Sequence, residues 1–222
     1  MSTGVKICGL RTRQSIDAAI DAGASHYGLV FFPKSPRNVS LVEAASLADH
    51  ARGRILSVAL TVDATDELLD SIAATVRPDM LQLHGSETPE RTREIRERTG
   101  LPVIKAISIS EAGDTAGATP YETVADLILF DAKPPRDPQA LPGGNGLPFD
   151  WRLLAPIRGK MPFMLSGGLT PDNVAEAIRL TGASIVDVSS GVESAPGMKD
   201  PELIRRFAEN ALSAALEEIA HG

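Results

Sequence analysis

The chain has 222 residues, the length of one α/β barrel, and 43% of them are hydrophobic, which is ample for a core. A formal net charge of −7 and only 4% aromatic residues exclude both the basic footprint of a duplex binder and the stacking platform of a single-strand binder. No apolar run reaches membrane-span length, the first residues lack a signal-peptide stretch, and a single cysteine excludes an internal disulfide, so a cytoplasmic protein is expected.

Short β-rich apolar runs alternate with longer amphipathic stretches. The predicted strands are Val5–Cys8, His26–Val30, Ile55–Leu60, Met80–Leu83, Val103–Ile107, Leu127–Phe130, Phe163–Leu165 and Ile185–Val188, eight in all. Ser40-Leu41-Val42-Glu43 is a capping-box sequence opening the second helix. Thr88-Pro89-Glu90 and Thr170-Pro171-Asp172 each set a capping residue before a proline at the first helical position. Ser108–Asp126 has little helical periodicity, so the fifth helix is expected to be short or replaced by a loop. Pro134–Pro148, with five prolines and three glycines, is expected to be a long loop after the sixth strand. A last helix is predicted from about Pro201 to Ala220, with Leu203, Phe207, Ala211 and Leu212 on one face. With no linker and no repeat beyond the βα alternation, residues 1–222 read as one (β/α)8 barrel domain.

Two apolar runs near the C-terminus break straight into small-residue turns. The first is Phe163-Met164-Leu165-Ser166-Gly167-Gly168, and the second is Ile185-Val186-Asp187-Val188-Ser189-Ser190-Gly191. Glycine lets backbone N–H groups approach an anion, and tandem turns at the end of an α/β chain are where many such barrels hold phosphate. Either turn alone would merely end a strand; the pair points to a phosphorylated small molecule.

Chemistry in these barrels sits at the C-terminal ends of the strands. Cys8 ends the first strand, where it is either a small core residue or a general base whose thiol needs a cationic neighbour to ionise. Asp131, after the apolar Leu127-Ile128-Leu129-Phe130, is either a loop cap or a general acid. Arg37 in a Ser-Pro-Arg turn is a solvated charge or a fork for a carboxylate or phosphate, and His84 is a rim histidine supporting the site. Strand alternation sends Lys6 inward with Cys8 and puts Asp187 on the same side as Ser189, so an interior Lys6–Asp187 pair is expected, biasing Cys8 towards thiolate. An acid and a base with no metal-ligand pattern and no redox motif suit a cofactor-free isomerisation; a non-catalytic phosphate sensor would need neither.

Lys6-Ile7-Cys8-Gly9-Leu10, Ser35-Pro36-Arg37, Leu81-Gln82-Leu83-His84-Gly85, Gly143-Gly144-Asn145-Gly146, Gly167-Gly168-Leu169, Asp187-Val188-Ser189-Ser190-Gly191-Val192-Glu193 and Pro196-Gly197-Met198-Lys199-Asp200 together resemble the phosphoribosylanthranilate isomerase family of tryptophan biosynthesis, nearly end to end. The resemblance implies an Amadori rearrangement of N-(5-phosphoribosyl)anthranilate without cofactor or metal. Asp131 would be its acid, Cys8 its base, and Arg37 the holder of the anthranilate carboxylate. Gly144, Asn145, Gly146, Gly167, Gly168, Ser189, Ser190 and Gly191 would surround the phosphate, with His84 nearby. Family precedent favours a monomer over a homodimer. A histidine-pathway isomerase of the same fold is the nearest alternative, but an aspartate is usual there at the position of Cys8.

Overall fold

Residues 3–133, 143 and 148–221 are described by a computed structural model. Eight parallel strands close on themselves in sequence order: β1 (Gly4–Cys8), β2 (His26–Phe31), β3 (Leu56–Thr61), β4 (Met80–Leu83), β5 (Val103–Ile109), β6 (Leu127–Ala132), β7 (Phe163–Leu165) and β8 (Ile185–Val188). Closure is made by β1 on β8, with Lys6 opposite Asp187. The outer layer comprises α1 (Arg13–Asp21), α2 (Leu41–Ala51), α3 (Asp66–Ser71), α4 (Pro89–Thr99), α5 (Val174–Thr181) and α6 (Pro201–His221). No helix among the described residues is long and apolar enough to cross a membrane.

Local chemistry sets most of these boundaries. Ser40 and Glu43 form the reciprocal cap of α2, the hydroxyl accepting from the Glu43 N–H and the carboxylate from the Ser40 N–H. Thr88 caps α4 ahead of Pro89, and Gly100 ends it in the left-handed region. A single π-turn, Ile72–Val76, continues α3, and sequence periodicity carried no sign of it. The fifth helix is indeed replaced, by a 3-10 segment at Asp114–Tyr121, and a second 3-10 segment, Trp151–Ile157, precedes β7.

Two expectations are corrected. Thr170-Pro171-Asp172 does not start a helix: α5 begins at Val174, with Asn173 at its N-cap. Asn173 folds back instead, accepting from the Thr170 N–H and donating to the Gly168 carbonyl, so these residues tie down the preceding glycine turn. Strands β5 and β6 also run further than predicted, pairing Ser108 with Asp131 and Ile109 with Ala132, so Asp131 is held within the sheet.

Alternation sorts each strand between two cores. Val5 and Ile7 pack outward beneath the helices, in the larger core. Val58, Ile104, Leu129 and Met164 fill the barrel interior. Lys6 and Cys8 face inward above them, and α6 closes the outer layer with Ile204, Phe207, Ala208 and Ala211 buried.

Candidate active site

Above the interior plug, β1–β4 and β6–β8 open into a cleft of about 810 Å3 at their C-terminal ends. Cys8, Arg37, His84, Asp131, Gly167, Gly168, Ser189 and Ser190 all line it, so residues spread across the sequence converge on one site. Gly191 does not. It packs so tightly on the Leu169 carbonyl that no Cβ fits, and so joins the two glycine turns into one unit. Gly144, Asn145 and Gly146 lie outside the described residues.

Cys8 is 4% exposed and faces Gly28 on β2, where a Cβ would stand 2.8 Å from its Sγ. The expected Lys6–Asp187 pair is present, Nζ to Oδ1 at 2.9 Å, with both side chains buried. Burial alone would push the Lys6 amine down, but Asp187 and Cys8 more than offset it and its pKa is raised. The expected thiolate bias does not prevail, however. Burial pushes the Cys8 thiol above its ordinary value; Lys6 pulls it down, Asp187 pushes it up, and Lys199 and Arg37 give further downward pulls that do not win.

Arg37 is no solvated charge. Its stem crosses Gly9, where a Cβ would come within 2.6 Å, and its Nε and Nη2 both donate to Glu193, each at 2.8 Å. Glu193 opens a hairpin after β8, formed by β9 (Glu193–Ala195) and β10 (Met198–Lys199). Buried Lys199 closes it, donating to Glu193 at 2.7 Å and to the Ser189 carbonyl at 2.8 Å. The Ser189 hydroxyl in turn donates to the Cys8 carbonyl. Burial holds the Lys199 amine below its usual range, while Arg37 and Lys199 outweigh burial at Glu193 and hold its carboxyl low. Sequence reading assigned the hairpin no role, because nothing local links residues 37 and 193.

Asp131, also 4% exposed, accepts from the Ala132 N–H at 2.8 Å through Oδ1, and its Oδ2 lies 3.1 Å from His84 Nε2. Gln82, given no role in the sequence beyond its place in the fourth-strand motif, reaches the other imidazole nitrogen at 2.9 Å. Gly143 covers this group so closely that a Cβ would meet His84 Nε2 at 2.6 Å and Asp131 Oδ2 at 2.8 Å.

A closed βα barrel whose rim brings a buried carboxyl, a buried thiol and two joined glycine turns to one cleft has the architecture of a barrel isomerase. Residues 5–210 match the family model described as N-(5'-phosphoribosyl)anthranilate (PRA) isomerase. The N-(5'-phosphoribosyl)anthranilate isomerase of Brucella canis is 55% identical over 220 residues, covering 99% of each chain. The crystal structure of the Thermotoga maritima enzyme superposes with a TM-score of 0.85 at 38% identity, covering 94% of this chain and 98% of that one. Another solved isomerase, in complex with reduced 1-(o-carboxyphenylamino)-1-deoxyribulose 5-phosphate, gives a TM-score of 0.82 at 35% identity over the same shares. The chain belongs to the N-(5'-phosphoribosyl)anthranilate isomerase family, isomerases of tryptophan biosynthesis.

Proposed function

We propose that the chain isomerises N-(5-phosphoribosyl)anthranilate to 1-(2-carboxyphenylamino)-1-deoxyribulose 5-phosphate, with Asp131 as general acid and Cys8 as general base. The observation that carries the reading is that both side chains are buried in one cleft whose other wall is the fused pair of glycine turns. The phosphate rests on backbone N–H groups of Gly167, Gly168 and Ser190, and the anthranilate carboxylate meets the edge of Arg37 that Glu193 leaves uncovered. The relative solved with a phosphorylated product analogue supports a ligand of this class.

Asp131 protonates the ring oxygen of the sugar, the C1–O bond breaks, and the nitrogen lone pair forms an iminium. Cys8 then removes the proton on C2, leaving an enolamine. This tautomerises by losing the C2 hydroxyl proton and gaining one on C1, which gives the ketone. The order matters for a thiol that burial keeps protonated at rest. A new positive charge about 4 Å away, at an effective dielectric of 20, stabilises a thiolate by about 4 kcal/mol and so lowers the thiol's pKa. The acid step thus creates the charge that ionises the base. A base that must stay an unoxidised thiol needs a reducing compartment, which supports a cytoplasmic enzyme.

Loss of substrate fluorescence, followed for wild type, Cys8→Ala and Asp131→Asn, tests the assignment. Turnover should collapse in both variants while product-analogue binding persists; either variant retaining wild-type turnover removes that residue from its role. We propose a monomer, and sedimentation decides it, since a Thermotoga maritima member of the family is described as dimeric.

A further inference from the structure

We infer that Gln82 is a positioning residue for the acid: it fixes the tautomer of His84 so that the histidine cannot take the proton that Asp131 must deliver. The inference rests on the assignment of Asp131 as acid. Gln82 and His84 stand two residues apart on and just beyond β4, so both project into the barrel. The Gln82 Nε2 lies 2.9 Å from His84 Nδ1, and His84 Nε2 lies 3.1 Å from Asp131 Oδ2.

An amide N–H directed at Nδ1 requires a lone pair there, so the imidazole proton resides on Nε2 and points at Asp131. The other oxygen of Asp131 already accepts from the Ala132 N–H. With a donor at each oxygen, Asp131 finds no acceptor among these neighbours. When it carries a proton, that proton is directed into the cleft, towards the substrate ring oxygen. The opposite tautomer would present a bare Nε2 to Asp131, and the acidic proton would move onto His84 rather than onto substrate.

The other end of Gln82 shows that the amide is not there for stability. The side chain is fully buried, and its Oε1 has no hydrogen-bond partner among the described residues. Burying a carbonyl unmet is unfavourable, and an apolar side chain of the same length would pack better. What the amide supplies is the donor at its far end.

The test is nitrogen NMR of the His84 imidazole together with steady-state kinetics. Wild type should show the proton on Nε2. Gln82→Met should mix the tautomers, lower kcat by about tenfold or more with KM changed less than about threefold, and leave the melting temperature unchanged or raised. Gln82→Glu, an acceptor of the same length, should move the proton to Nδ1 and lower kcat at least as far. In an Asp131→Asn background Gln82→Met should add no further loss.

A wild-type imidazole protonated on Nδ1, or wild-type kcat in both Gln82 variants, overturns the inference. So does a fall in melting temperature with kcat intact, the signature of a purely structural glutamine. If Asp131→Asn is inactive while the Gln82 variants turn over normally, only this inference fails. If Asp131→Asn turns over normally, the acid assignment fails first and this falls with it.

Discussion

Replacing Lys6 with methionine separates the two roles of the buried ion pair beneath the cleft. At 2.9 Å, two unit charges attract by about 6 kcal/mol at an effective dielectric of 20. Desolvating each ion costs several kcal/mol, so the intact pair contributes little net stability. Lys6→Met leaves Asp187 buried and unpaired, and the expected loss is about 3–5 kcal/mol in urea unfolding at pH 7. Lys6→Met/Asp187→Leu removes the stranded charge and should recover most of that loss. Neither variant should recover the chemistry. Lys6 is the largest of the cationic influences lowering the Cys8 thiol against burial, so without it the thiolate fraction falls. Iodoacetamide alkylation of Cys8 at fixed pH should therefore slow in the single variant. The double variant also lacks Asp187, which pushes the thiol up, so its alkylation should be slowed less while turnover stays well below wild type. A destabilisation below about 1 kcal/mol, or a double variant no more stable than the single, would refute the account of the pair.

With Cys8 as the proposed base and burial holding its thiol above the ordinary range, kcat/KM should still be climbing past about pH 8.5; kcat should level off earlier, since the proposed iminium would lower the thiol. A flat kcat/KM between pH 7 and about 9 would remove Cys8 from the rate-determining step. Glu193→Gln leaves Arg37 and Lys199 without their shared carboxylate, and should raise KM about tenfold with little change in kcat, measured in the fluorescence assay. Gly191→Ala drives a methyl into the Leu169 carbonyl and should weaken inhibition by inorganic phosphate at least tenfold, about 1.4 kcal/mol. Gly53→Ala, by contrast, meets a left-handed backbone but open space, and should cost only about 1 kcal/mol of stability with phosphate inhibition unchanged.

What could be read from the chain was what short-range rules control. Capping residues placed α2 and α4, strand alternation placed Lys6 opposite Asp187, and the glycine turns marked residues that line the cleft. The misreadings have a common physical origin in long-range side-chain pairing. Thr170-Pro171-Asp172 has the local grammar of a helix start, but Asn173 is drawn back to the glycine turn and delays the helix. The two readings of Arg37 could not be separated locally because its partner is 156 residues away on the β9–β10 hairpin. Gln82 stood in the fourth-strand motif without a role of its own, because its orphaned oxygen is a fact of packing. For the thiol, Lys6 was inferred and burial was one of the two readings, but which of them prevails depends on packing that strand alternation does not reveal.

The buried cations show how one barrel separates scaffold from chemistry. Lys105 pairs with Glu87 at 2.8 Å, and Glu87 also accepts from the N–H groups of Asp63 and Gly85, pinning the loops after β3 and β4. That pair does not line the cleft and is fully committed to backbone. Lys6, Arg37 and Lys199 are paired as completely, yet all three bear on Cys8. Their carboxylate partners keep them from being stranded charges, and so make it possible to hold three cations beside a buried thiol. Burial of the thiol, with Asp187 adding to it, outweighs the pull of the three cations, which is why the resting thiol stays protonated. A site arranged in this way holds its base in reserve until ring opening supplies an unpaired positive charge. A thiol ionised at rest would instead be open to oxidation between turnovers. The paired cations therefore tune how readily Cys8 ionises, and on the proposed mechanism the substrate's own iminium would supply the remaining bias when the proton on C2 has to leave.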